Sequence, residues 1–88
     1  MSYSVLVVDD EALTLRTISR GLHEEGFEAF TATSGEEALK IFEDEKPDLT
    51  LLDIVLPGID GVEVLRRIKL ANPAAIVLMM SAYHMVDR

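Results

Sequence analysis

Three apolar runs in this chain end on side chains that could do chemistry. Val5–Val8 stops at Asp9-Asp10, Leu49–Leu52 stops at Asp53, and Ala75–Met80 stops at Ser81. After Asp53 come Ile54-Val55 and then Leu56-Pro57-Gly58, which must turn. A carboxylate left at the end of a buried run is costly unless it has a partner. Several carboxylates at short range cannot all stay ionised without a counter-charge. A hard divalent cation answers that need. Mg²⁺ takes one or two carboxylates, some waters and a phosphate oxygen, so an open set of acids suits phosphoryl chemistry. Singly, each residue has a duller role. Asp10 could cap a helix, Asp53 could form a turn, and Ser81 could close a strand.

These residues can meet only if the elements carrying them place their ends together. Ser4–Val8 is short, apolar and β-branched, as in a buried strand. Glu11–Glu25 carries Leu15, Ile18 and Leu22 at helical spacing, with Gly26 as a stop. Phe27–Ala32 is a less apolar strand, expected near an edge. Ser34 and Glu37 form a capping box that opens a second helix, with Ala38, Ile41 and Phe42 as its buried stripe and Pro47 closing the unit. Asp48–Leu52 is the third strand. Gly61–Leu70 is a third helix, with Val62, Leu65 and Ile68 expected inward and Arg66, Arg67 and Lys69 outward. Asn72-Pro73 ends it, and Ala75–Met80 is a fourth strand, apolar throughout.

The order βαβαβαβ implies a parallel sheet with helices on both faces. All strands then point one way, and their C-terminal ends share the edge where open α/β sheets carry ligands. Asp9, Asp10, Asp53 and Ser81 converge there.

Composition narrows the function. The 88 residues suit one domain, 49% of them are hydrophobic, and there is no cysteine, so disulfides and thiolate metal sites are excluded. The net charge of −8 argues against direct nucleic-acid binding. The run Val5–Val8 is too short for a signal peptide. The apolar run near Ala74–Met80 is far below the roughly 18 residues of a membrane span. A soluble, cytoplasmic protein is expected.

The segments VLVVDDE (Val5–Glu11), SGEEAL, PDLTLLDIVLPGIDGVEVLRRI (Pro47–Ile68) and IVLMMSAY (Ile76–Tyr83) resemble the receiver domain of two-component response regulators. The resemblance implies a flavodoxin-like, three-layer α/β sandwich with strand order 2-1-3-4 in the part present. It implies that residues 1–88 form one partial receiver domain, lacking a fourth helix, fifth strand and fifth helix, along with a lysine and an aromatic residue carried in that region. Carried over by position, Asp53 is the phosphoacceptor and Asp10 a direct Mg²⁺ ligand. Asp9 is a supporting acid that holds the metal through water, and Val55 lends its backbone carbonyl to the metal. Ser81 is the switch hydroxyl, with Ala82 as the small residue beside it. The implied partners are a sensor histidine kinase or a phosphotransfer protein. Strand four would be an open apolar edge, so completion by another chain, for example by self-association, is expected.

Four functions compete. The first is a phosphorylatable signalling module, not itself an enzyme. The second is a degenerate receiver that binds partners without phosphorylation; the missing lysine favours it, and the intact acids and Ser81 oppose it. The third is a Mg²⁺-dependent phosphohydrolase, which would need an acid two residues after its nucleophile; Val55 stands there and moves no proton. The fourth is a flavodoxin-like nucleotide binder, opposed by the acidic DDEAL loop and the absence of a Gly-rich phosphate fingerprint. His84 and His23 are expected to be solvated, and Met79 and Met80 to be fillers.

Overall fold

A computed structural model describes residues 2–80. Strands β1 (Ser4–Val8), β2 (Glu28–Ala32), β3 (Leu49–Asp53) and β4 (Val77–Met80) alternate with helices α1 (Ala12–Glu24), α2 (Gly35–Glu45) and α3 (Gly61–Ala71). The strands are all parallel and ordered β2-β1-β3-β4. This is the α/β architecture expected from the sequence, with the weakly apolar β2 at an edge.

Side-chain alternation along β1 divides the core into two layers. Leu6 and Val8 face a cluster with Ala38 of α2 and Val64 and Ile68 of α3. Val5 and Val7 face the other way, onto Leu15 of α1, with Ile18 and Leu22 packed nearby. Leu52, paired with Val8, is fully buried in the first cluster.

Helix ends follow local chemistry. Gly26, at φ 92°, closes α1: its N–H donates to His23 O (3.0 Å) and the Phe27 N–H to Leu22 O (2.9 Å). Those two bonds make a Schellman motif, and the left-handed residue is glycine because no Cβ opposes it there. Ser34 caps α2 by accepting the Glu37 N–H (3.2 Å). The reciprocal bond differs from the expected box, since the Glu37 carboxylate accepts from the Thr33 N–H (2.8 Å), one residue earlier. Asp60 caps α3 by accepting the Glu63 N–H (2.9 Å).

Three expectations need correction. Val62 is 59% exposed, and Val64 is fully buried together with Ile68. The helix starts at a capped Gly61, and its phase places residues 64 and 68, one turn apart, toward the sheet. Strand β4 is shorter than expected, because Ala75 and Ile76 precede the ladder. Nor is β4 covered on both sides among the described residues. Val77 and Met79 pack on the first cluster, whereas Leu78 is 53% exposed.

The corrected phase of α3 is tested by two substitutions followed by urea denaturation. Val64→Ala is expected to cost about 2 kcal/mol or more, through lost apolar burial plus a cavity. Val62→Ala is expected to stay within about 0.5 kcal/mol, as for exposed sites away from special contacts.

Candidate functional site

The register of the sheet assembles the site. Val7 lies beside Leu51 in the β1–β3 ladder, so Asp9 and Asp53, each two residues further on, carry the same pleat rows to the C-terminal edge. Backbone bonds extend both strand ends. The Asp9 N–H donates to Ala32 O (3.1 Å), and the Ile54 N–H donates to Met80 O (3.1 Å). Asp10 follows in the turn to α1. One carboxylate oxygen from each of Asp9, Asp10 and Asp53 lies within 4.8 Å of the other two. Asp9 is buried, Asp53 half-buried and Asp10 exposed. Glu11 and Thr14 complete an open pocket of about 410 Å³ around the three acids.

Two short turns orient the carboxylates. The Glu11 N–H donates to Asp9 Oδ1 (2.9 Å), and the Val55 N–H donates to Asp53 Oδ1 (3.2 Å). In each, an Asp takes the amide two residues on. Asp10 does not cap α1, contrary to the simplest alternative. The residue in the cap position is Glu11, whose side chain accepts no backbone N–H and instead takes a hydrogen bond from the Thr14 hydroxyl.

The charges at this edge repel. Burial is the largest cause raising the Asp9 carboxyl above its ordinary value. The fields of Asp53, Asp10 and Glu11 push the same way, and only the Glu11 amide opposes them. No ion pair among the described residues offsets this. The three that exist are Lys40 with Asp44 and Glu63 with both Arg66 and Arg67. The Arg66 bond, followed by that of Arg67, holds the Glu63 carboxyl down at about 2. Lys46 donates to Glu43 O, and Lys69 donates to Pro73 O and Ala75 O. A larger groove of about 490 Å³ between α2 and α3 is lined mainly by apolar side chains, with Glu43 its one acid. The convergent carboxylates therefore lie at the sheet edge.

The sequence brought Asp9, Asp10 and Asp53 to one place, and so does the structure. Val55 is in the loop directly after β3, with an exposed side chain. Ser81 and Ala82, together with His84, lie outside the described residues. Sequence reasoning missed Glu11 as a fourth acid in the pocket; its signal was the unbroken run Asp9-Asp10-Glu11. It also missed the contact between Gly61 and the Asp53 peptide, which no motif reveals.

Residues 5–88 match the family model described as response regulator receiver domain. Sporulation initiation phosphotransferase F of Bacillus subtilis is 38% identical over 87 residues, covering 99% of this chain and 70% of that protein. The alkaline phosphatase synthesis transcriptional regulatory protein PhoP of the same organism is 42% identical over 82 residues, covering 93% of this chain but 34% of PhoP. Among solved structures, response regulator TrrA of Thermotoga maritima, in complex with Mg²⁺-BeF, superposes with a TM-score of 0.88 at 43% identity, covering 94% of this chain and 71% of TrrA. A CheY-like receiver domain protein of Methanospirillum hungatei gives 0.89 at 31% identity, covering 92% of this chain and 65% of that one. The chain thus spans about a third to 70% of the length of these proteins. No helix among the described residues is long and apolar enough to cross a membrane.

The Asp9 geometry gives a prediction with a definite sign. Its carboxyl is raised in the fold, so the folded chain binds the proton more tightly than the unfolded chain. Metal-free stability should therefore fall as pH rises from below the ordinary value of 3.8 through the raised one. Asp9→Asn keeps an oxygen for the Glu11 amide and removes the charge. Calorimetry in a chelator should show a higher Tm for this variant at neutral pH and a vanishing difference near pH 3. A lower Tm at neutral pH would refute this account of the edge.

Proposed function

The chain belongs to the response regulator receiver family, and we propose that within it this chain is a phosphoacceptor switch with Asp53 as the acceptor. The observation carrying this is the set of three carboxylates within 4.8 Å, unpaired among the described residues, at the C-terminal edge of a parallel sheet.

The donor set fits Mg²⁺: hard oxygens only, too few to form a closed cage, and mutually repelling in the absence of a cation. Asp10 and Asp53, the Val55 carbonyl, and Asp9 through water would hold it. When bound, Mg²⁺ neutralises charge on phosphoryl oxygens. The rest falls to the chain's own residues. Strand β3 fixes the Asp53 backbone, and the Val55 amide engages Oδ1, which leaves Oδ2 free of protein donors among the described residues. An Asp53 carboxylate oxygen attacks the phosphorus of a phosphohistidine on a sensor kinase or phosphotransfer protein. The P–N bond breaks, its electron pair returns to the imidazole, and Asp53 becomes an acyl phosphate. Ser81 is assigned the switch hydroxyl that bonds a phosphoryl oxygen afterwards. The gain of negative charge at a crowded edge is what biases a two-state surface. The chain is then a substrate of phosphotransfer rather than an enzyme, and we place it in the cytoplasm beside its donor.

The test is intact mass after incubation with Mg²⁺ and acetyl phosphate. A single phosphoryl adduct is expected, absent in Asp53→Asn. A folded sample that takes no adduct would instead favour an interaction module that works without phosphorylation.

Self-association belongs to the same proposal. Among the described residues β4 has no strand on its outer side, and Leu78 (53%) and the preceding Ile76 (61%) are exposed on the face opposite Val77 and Met79. Neither proline nor a charged residue guards the strand. Sedimentation velocity should show dimers or larger species that Leu78→Lys returns to monomer. A monomeric parent chain would remove this part of the proposal.

A further inference from the structure

We propose that Gly61 is a positioning residue for Asp53: the start of α3 is seated on the peptide that carries the acceptor, and only a residue without Cβ can sit there. This rests on the phosphoacceptor reading above and goes beyond it.

The observation is a close approach. Gly61 is buried and is the first residue of α3. Its N–H donates to Ile54 O (2.9 Å). A Cβ at this position would stand 2.2 Å from the Asp53 carbonyl oxygen and 2.8 Å from both Ile54 Cα and Ile54 O. All three are backbone atoms of the acceptor or its neighbour, and backbone cannot swing aside as a side chain can. Conformational freedom is not the reason for glycine here. The left-handed glycines of this chain are Gly26 and Gly58, so an alanine would meet no backbone strain at position 61 and would be a better helix former. What it lacks is room.

Gly35 supplies the comparison. It too is buried and opens a helix, α2, and a Cβ there would also be crowded, at 2.5 Å from Ile59 Cγ1 and 2.6 Å from Val64 Cγ2. Those atoms are side chains. The same substitution at the two helix starts therefore strains different things. At 35 it disturbs packing, and at 61 it disturbs the acceptor peptide.

The seat matters because Asp53 is held from two sides. The Ile54 N–H reaches across to Met80 O, and the Gly61 N–H reaches back to Ile54 O. The first bond holds the Asp53–Ile54 peptide and the second holds the Ile54–Val55 peptide that follows, so a push on the Asp53 carbonyl is passed to the Asp53 backbone. Asp9 and Asp10 are carried independently, at the end of β1. A tilt of the Asp53 peptide thus moves one carboxylate relative to the other two.

The experiment compares Gly61→Ala with Gly35→Ala, and with Gly21→Ala, where nothing lies within 4 Å of the added Cβ. Mg²⁺ affinity is measured by calorimetry, and phosphoryl uptake from acetyl phosphate at saturating Mg²⁺ by intact mass, on samples shown to be folded by circular dichroism. Gly61→Ala is expected to weaken Mg²⁺ binding at least tenfold and to slow uptake at least tenfold. Gly35→Ala is expected to change both less than threefold even where it lowers Tm as much. Equal losses in the two variants, or an unchanged Gly61→Ala, would overturn the proposal.

If Gly61→Ala does not fold, Asp60 gives a gentler probe. Asp60→Ala removes the cap that holds the start of α3 and should weaken Mg²⁺ binding about threefold. Asp60→Asn, which keeps a capping oxygen, should restore it, and wild-type affinity in Asp60→Ala would count against the seat. A metal-free readout separates this inference from the reading beneath it. The amide resonances of Ile54 and Val55 should move in Gly61→Ala and stay in place in Gly35→Ala. Moved resonances in a chain that binds no Mg²⁺ would uphold the seat and sink the metal reading. Unmoved resonances would sink the seat alone.

Discussion

Everything at the active edge follows from one repulsion that the fold does not relieve. Strand register puts Asp9 and Asp53 side by side, and the turn to α1 adds Asp10. A chain free to choose would separate these charges. It cannot, because each acid continues a strand whose preceding residues are fixed. Val7 and Val8 are fully buried, as is Leu52, and sliding β1 against β3 by one residue would turn every one of these side chains to the wrong face. The apolar core therefore holds the carboxylates together against their mutual field. The Asp9 carboxyl is raised at this edge, by its burial first and by the neighbouring acids after it.

Holding acids together is not the same as aiming them, and the loops do the aiming. The turns at Glu11 and Val55 each place a backbone amide on one Oδ1, a bond that fixes the side-chain direction. The loop from Ile54 to Asp60 is short and pinned. Leu56 is buried in the α2–α3 layer, Ile59 packs on the bare Cα of Gly35, and Gly61 rests on the Asp53 peptide. Glycine occupies both helix starts, Gly35 against the Ile59 and Val64 side chains and Gly61 against the backbone of Asp53 and Ile54.

The sequence made much of this legible. Alternating apolar runs and capping signals were enough for element order and strand direction, the resemblance to the receiver family supplied the sheet order, and parallel strands bring their C-terminal residues to one edge by necessity. What it hid was anything decided by a phase or a contact. Val62 and Val64 are equally apolar, and only the helix start at Gly61 turns the second inward. Asp10 is a favoured capping residue, yet the chain enters α1 one residue later and leaves Asp10 free at the pocket. Glu37 matches a capping box, but its carboxylate settles on Thr33. Gly61 reads as the start of a helix, and the Asp53 carbonyl beneath it is visible only in three dimensions.

The placement of the cations turns the repulsion into a use. Arg66 and Arg67 are committed to Glu63, Lys40 to Asp44, and Lys46 and Lys69 to backbone carbonyls, all away from the edge. Had any of them reached Asp53, it would have relieved the acids and competed with any outside charge. Because none does among the described residues, the acids are left open to relief by a bound cation, as the proposed function requires. Binding to the folded chain alone adds stability as RT ln(1 + [L]/Kd), about 2.7 kcal/mol when the ligand is at a hundred times its Kd. On the proposed reading, a divalent ion at the three carboxylates would stabilise the folded chain in this way. The same unpaired field leaves the edge responsive to a further negative group on Asp53, since no internal cation is already in place to absorb it.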